Sequence, residues 1–186
     1  MTAADEIRIE PWGPDDLPLL KRTMGDARMT EHLGGPESDE KLAERHVKYQ
    51  KLAASGAGRM FKIVDSKGRS MGSVGYWDKE WDGPAYEIGW LVVPEAQGRG
   101  VASTATSLAL ARAKEDGKHR YVHAFPSVEN LASNAICRKL GFELLKEHDF
   151  EFPPGHWMRC NDWRFDLEEL GSVPPARPSG ETHPAG

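Results

Sequence analysis

Apolar and polar residues alternate from Glu6 to Trp12 through Ile7 and Ile9, the period of a strand, with Pro11 and Pro14 stopping it. Two helices are predicted next, about Asp15 to Met24 and about Ser38 to Ala54. Ser38 is placed to cap the second, with Lys41 at the position where a capping box would hold a carboxylate. The apolar marks of that helix, Leu42, Val47 and Leu52, are sparse, so it is expected to lie half exposed. The segment Glu31 to Pro36 between the helices reads as a loop, either a lid or a plain connection.

From Arg59 the period shortens. Met60 to Val64, the turn signal Asp65 to Gly68 and the Gly-rich run Met71 to Trp77 predict a hairpin. A second turn at Asp82 to Pro84 leads into Tyr86 to Val93, whose continuous apolar end suits the centre of a sheet, so three antiparallel strands are expected here. Val101 to Lys114 is a helix with many small residues, ended by Gly117. Tyr121 to Phe125 reads as a strand, Val128 to Leu140 as a helix closed by Gly141, Phe142 to Phe152 as a strand, and about His156 to Phe165 as the last strand. Gly171 to Gly186, rich in Pro, Gly and Ser, is expected to be a disordered tail outside a single domain of residues 1–170.

Composition narrows the classes. The chain has 186 residues, 39% hydrophobic and 28% charged, enough for one domain with its own core. No apolar run approaches the roughly 20 residues that span a bilayer, and the first residues carry neither a basic start nor an apolar stretch, so a cytoplasmic protein without membrane attachment is expected. Lys and Arg total 24 against 29 Asp and Glu, a net charge of -5 that disfavours general nucleic-acid binding and fits a cationic or neutral small substrate better. The two cysteines, Cys137 and Cys160, read as thiols, and no spacing of His, Cys or Asp points to a metal.

The segment Ile88 to Ala111 is strand, Gly-rich turn, helix. A helix start carries unpaired N–H groups and the positive end of the dipole, and Gly98 and Gly100 allow main chain to approach phosphate oxygens closely. Gln97, Gly98, Arg99, Gly100, Val101 and Ala102 match neither the dinucleotide fingerprint nor the nucleotide-triphosphate loop, which disfavours a nucleotide triphosphatase. Read alone, two such glycines most often mark an ordinary turn before a helix.

In context, Gln97, Gly100 and Ala102 resemble the acyl-CoA loop, Gln/Arg-x-x-Gly-x-Gly/Ala, of the GCN5-related N-acetyltransferase (GNAT) family. A second block, Asn130 to Asn134 followed by Arg138 to Phe142, is similar to the Asn-x-x-Ser and Glu-Lys-Leu-Gly-Phe pattern of the branch that acetylates ribosomal-protein amino termini and some antibiotics. The resemblance spans roughly residues 5–168. It implies an α/β (α+β) domain with a mixed, mostly antiparallel, centrally splayed sheet of about seven strands and four helices. It further implies acetyl-CoA as cosubstrate and direct acetyl transfer to a primary amine: a protein N-terminus, an amino-bearing antibiotic or a small metabolite.

By the same resemblance, the amides from Gln97 to Ala102 hold the pyrophosphate, Asn130 and Ser133 meet the pantetheine arm, and the strand from Glu87 to Val93 splays from the one at Tyr121 to Phe125. A backbone N–H among Leu91, Val92 and Val93 would then bind the thioester oxygen, a fixed donor worth about 3 kcal/mol where negative charge develops. A protonated amine cannot attack, so a base is needed; Glu87 is the first candidate, with His123 and Glu129 as alternatives. Cys137 stands where many members have a Tyr that protonates the leaving sulfur, so it is read either as a general acid or as a packing residue; transfer through a Cys137 thioester is disfavoured because no histidine is spaced to activate it. Six Trp are present; Trp77, Trp81 and Trp90 near the slot, with Trp157 and Trp163 on the last strand, are read as acceptor walls, core or a homodimer contact. Glu31, Glu37, Asp78, Glu80 and Asp82 would favour a cationic amine if they line the cleft, and are otherwise a solvated rim. A coenzyme-binding sensor or interaction module without turnover is the alternative function.

Overall fold

Residues 7–171 are described by a computed structural model; the predicted tail from Ser172 onward and Glu6 of the predicted first strand lie outside them. The elements run β1 (Arg8–Pro11), α1 (Leu17–Thr23), α2 (Asp39–Ser55), β2 (Gly58–Val64), β3 (Ser70–Glu80), β4 (Pro84–Val92), α3 (Val101–Asp116), β5 (Tyr121–Ala124), α4 (Leu131–Leu140), β6 (Glu143–Glu151) and β7 (Trp157–Asp166). Short 3-10 turns occupy Pro94–Ala96 and Leu167–Glu169. One seven-stranded sheet has the order β1-β2-β3-β4-β5-β7-β6, antiparallel throughout except for the β4/β5 pair.

That exception positions everything functional. β4 and β5 are joined at only two rungs, Tyr86 opposite Val122 and Glu87 opposite His123. β4 continues to Val92, so its Ile88–Val92 stretch has β3 on one side and no strand on the other. The sheet is splayed at its centre.

Helix boundaries follow local chemistry. Ser38 accepts from the Lys41 amide at 3.4 Å at the start of α2, and Gly56 closes that helix in the left-handed region. Val47 is 45% exposed while Leu42 and Leu52 are buried, the half-exposed helix its sparse pattern predicts. Trp12 donates its indole N–H to His46 Nδ1 at 3.0 Å, and His46 Nε2 reaches the Pro14 carbonyl, which anchors α2 to the chain after β1. In α3, Ala105, Ala109 and Ala113 are wholly buried, and their small side chains let the helix sit close on the sheet. Beside them Leu110 is also buried, an apolar burial worth about 1.5–3 kcal/mol.

Two boundaries depart from expectation. α4 starts at Leu131 rather than Val128, because the Val128 amide is bonded to the Arg159 carbonyl on β7 and Asn130 takes the cap, accepting from the Ser133 amide at 3.1 Å. β3 runs on to Glu80, its hairpin with β4 closing at Glu80 opposite Pro84.

Candidate active site

One cavity of about 750 Å³ follows the splay from the start of α3 to the opposite side of the sheet. Its walls include Gln97, Gly98, Gly100 and Val101–Ser103 at one end, β4 residues Glu87–Val92 along the middle with Asn130 and Ser133 of the α4 start, and Glu31, Trp77, Phe125, Phe150 and Met158 towards the other.

At the α3 end the lining is main chain. Gly98 has φ +73° and Gly100 φ +75°, the left-handed region that favours glycine. The first intrahelical bond of α3 runs from the Thr104 amide to the Gly100 carbonyl, so the amides of Val101, Ala102 and Ser103 have no helical acceptor, and those of Gly98, Arg99 and Gly100 also find none in the described chain. Six consecutive N–H donors beside a cavity, at the positive end of a sixteen-residue helix, fit a diphosphate. Gln97 turns its side chain elsewhere: its Nε2 donates to the Val92 carbonyl at 2.9 Å and ties the turn to the end of β4. The Arg99 guanidinium donates to the Glu95 carbonyl, so its side chain is tied within the turn. Lys139 of α4, which sequence reasoning did not single out, also lines this end and donates to Ser103 Oγ at 3.2 Å.

The parity of β4 decides which amides face the gap. Val93 donates to the Met71 carbonyl at 2.9 Å, and Asp78 donates to the Ala57 carbonyl at 2.7 Å, so the residues of β3 that face β2 and those that face β4 alternate in a fixed phase. Leu91 and Val93 therefore turn their amides into the β3 ladder. Val92 presents its own to the open side, as does Trp90, which the sequence reading did not include among the amide donors. Period-two alternation would have found Trp90 only with the sheet register known.

Glu87 stands at the last rung before the gap, 18% exposed at its side chain, with Oε2 3.3 Å from Lys79 Nζ. His123, its partner across β5, is buried and hydrogen-bonded through Nδ1 to Asp162 Oδ1 at 2.6 Å. Trp81 donates its indole N–H to Asp162 Oδ2 at 2.8 Å. Burial opposes the charge on Asp162, yet these two hydrogen bonds outweigh it and hold the carboxyl below its usual range. Glu129 is exposed and is no part of the cavity wall.

Cys137 lies wholly buried on α4; the wall contains its neighbour Ile136 but not Cys137. Burial pushes its thiol up to about 12. Asn134 is a structural knot: its Nδ2 donates to the Ser127 and Asn130 carbonyls, and its Oδ1 accepts from Asn161 and the Trp163 indole. That places Trp163 in the core, whereas Trp157 is 64% exposed and outside the cavity wall. Trp77 and Trp90 line the cavity; Trp81 does not. Of the acidic residues, Glu31 reaches the wall, Glu37 pairs with Arg45, Asp78 with Lys118 and His119, and Asp82 with Lys146. Glu80 is exposed on the last rung of the β3/β4 hairpin.

Residues 6–143 match the acetyltransferase (GNAT) domain family. The chain belongs to the GNAT family. No curated protein matches it by sequence. Among solved structures, a GNAT-family acetyltransferase from Bacillus anthracis is 19% identical, covering 90% of this chain and 99% of its own with a TM-score of 0.75. The Vibrio cholerae spermidine N-acetyltransferase, solved with CoA and spermine, is 18% identical over 88% of this chain and 97% of its own, TM-score 0.75. An acetyl transferase from Salmonella typhimurium that modifies the N-terminal serine of ribosomal protein L7/L12 is 18% identical over 88% and 96%, TM-score 0.74. At these identities the likeness establishes the shared GNAT fold alone. Among the described residues, no helix is long and apolar enough to cross a membrane.

Proposed function

We propose that this GNAT domain transfers the acetyl group of acetyl-CoA to a primary amine by direct attack in a ternary complex. One observation carries the reading: pairing between β4 and β5 ends at Glu87 and His123, and the gap beyond it opens, within a single cavity, onto the unpaired amides at the start of α3. The amides of Gly98 to Ser103 hold the coenzyme pyrophosphate, with Lys139 adding a positive charge beside them. Asn130 and Ser133 flank the pantetheine arm, which lies in the gap against the open edge of β4. The Trp90 and Val92 amides are the donors available to the arm and to the thioester oxygen, where a fixed N–H stabilises developing negative charge.

Glu87 takes the proton from the acceptor ammonium, so that a neutral amine attacks the acetyl carbon. Cys137 has no part in proton transfer: its burial outside the cavity and its raised pKa leave the thiolate to depart unaided. The acceptor enters from the side lined by Glu31, Trp77, Phe125 and Phe150 and is a small amine or a peptide amino terminus. The amine-directed activities named for the Vibrio and Salmonella proteins support that class. A cytoplasmic setting suits the two free, buried thiols.

Glu87→Gln is expected to lower kcat/KM for an amine acceptor by about 100-fold, with the largest loss at low pH, where free amine is scarcest. A pH–rate profile unchanged by this substitution rejects Glu87 as the base. A second reading, coenzyme binding without turnover, is favoured by one fact: Glu87 already has Lys79 as a partner. Calorimetric binding of acetyl-CoA with no acetyl transfer to any of a panel of amines would establish that reading instead.

A further inference from the structure

Lys79 stands behind the cavity wall, but its partners all line the cavity, Glu87 in the middle and Phe125 and Phe150 towards the acceptor side. Its ammonium lies 3.3 Å from Glu87 Oε2, 5.6 Å from the centre of the Phe125 ring and 4.9 Å from that of Phe150. Lys79 stands opposite Ala85 on the β3/β4 hairpin, one pleat from Glu87 on the same face, and its four-carbon stem brings the nitrogen to the carboxylate. A carboxylate with two aromatic faces is what an alkylammonium ion seeks. An acceptor amine that gives its proton to Glu87 must sit within hydrogen-bond reach of that carboxylate, the seat Lys79 already occupies.

We propose that Lys79 is an acceptor supplied by the chain itself, and that the domain acetylates it in the absence of an external amine. The proposal rests on the reading of Glu87 as the base. Glu87 removes one proton from the Lys79 ammonium, and the freed nitrogen pair attacks the acetyl carbon. The C–N bond forms, the C–S bond breaks with its pair leaving on sulfur, and the second proton lost by nitrogen passes to the departing CoA thiolate. No electrons are gained or lost overall. The product is a neutral amide, so the ion pair ends, and Glu87 passes its proton to solvent and is free for an external amine.

The full chain is incubated with acetyl-CoA alone and followed by intact mass and peptide mapping. One acetyl group is expected on Lys79, faster than on the exposed Lys48 and Lys51, which report uncatalysed acetylation, and at a rate constant independent of protein concentration. Glu87→Gln should slow Lys79 acetylation by about 100-fold and leave Lys48 and Lys51 unaffected. Lys79→Arg keeps the positive charge and should abolish the rapid addition, leaving only the slow acetylation that Lys48 and Lys51 report. Lys79 modified no faster than Lys48 and Lys51, or equally fast in Glu87→Gln, overturns the proposal. A parallel sample containing a panel of primary amines separates the two readings. Thiol release with an amine but no acetyl on Lys79 sinks the Lys79 inference and leaves acetyl transfer standing; neither signal sinks both.

Discussion

At the α3 end of the cavity the lining is main chain, six amides in a turn shaped by two left-handed glycines, whereas at the other end it is side chain, drawn from the α1–α2 loop, β3, β4, β5 and the β6–β7 hairpin. The first material makes a site from backbone geometry and a helix dipole, and tolerates almost any side chain that stays out of the way. The second depends on the identity of each residue. A fold can therefore keep its coenzyme while exchanging its acceptor, because changes at one end leave the donors at the other untouched.

The separation can be broken by substitution. Gly98→Val places a β-branched residue at φ +73°, and since nothing lies within 4 Å of a Cβ built there, the new side chain projects into open space at the α3 end of the cavity. A turn that relaxes out of the left-handed region must regain it to present its amides, at about 1–2 kcal/mol, so KM for acetyl-CoA should rise about 5- to 30-fold with acceptor KM unchanged. An equal rise in both constants in steady-state kinetics would show the two ends to be coupled. Trp77→Leu tests the other end. The Trp77 ring lies 3.0 Å from where a Cβ on Gly89 would stand, and shortening it removes apolar wall. Acceptor KM should rise about fivefold, from roughly 1 kcal/mol of lost apolar contact, while acetyl-CoA KM holds.

Cys137→Ala is expected to have the smallest effect on rate, less than about twofold, since a thiol held protonated by burial outside the cavity has no step to lose. Its effect belongs to stability. The folded-state pKa of Cys137 lies above that of an exposed thiol, so its contribution is complete below about pH 9 and is lost as pH rises towards about 12. Urea melts between about pH 8 and pH 11 should show a shallower alkaline decline in Cys137→Ala than in the parent. An activity loss above tenfold would return Cys137 to the chemistry.

Several parts of this arrangement were legible in the chain. The Gly98 and Gly100 turn before a helix and the Gly141 stop each rest on local backbone chemistry, which a few adjacent residues decide. The end of α4 followed the same logic, but its start did not: Val128 is held by Arg159, a residue thirty-one positions away, and no local signal reports that bond. The acceptor end was the least legible. Lys79, Phe125 and Phe150 are unremarkable in sequence and gain meaning only when β3, β5 and β6 bring them to one face beside Glu87.

Local spacing and residue type alone determined the order of strands and helices and the glycine turn, because each is a property of neighbours along the backbone. The phase of the β3/β4 ladder, which turns Trp90 and Val92 outward and Leu91 inward, was decided by tertiary structure. So were the burial of Cys137 and the seating of Lys79 on Glu87. Hydrogen-bond parity, desolvation and ion pairing are set by what stands across the sheet, and no stretch of sequence carries that information by itself.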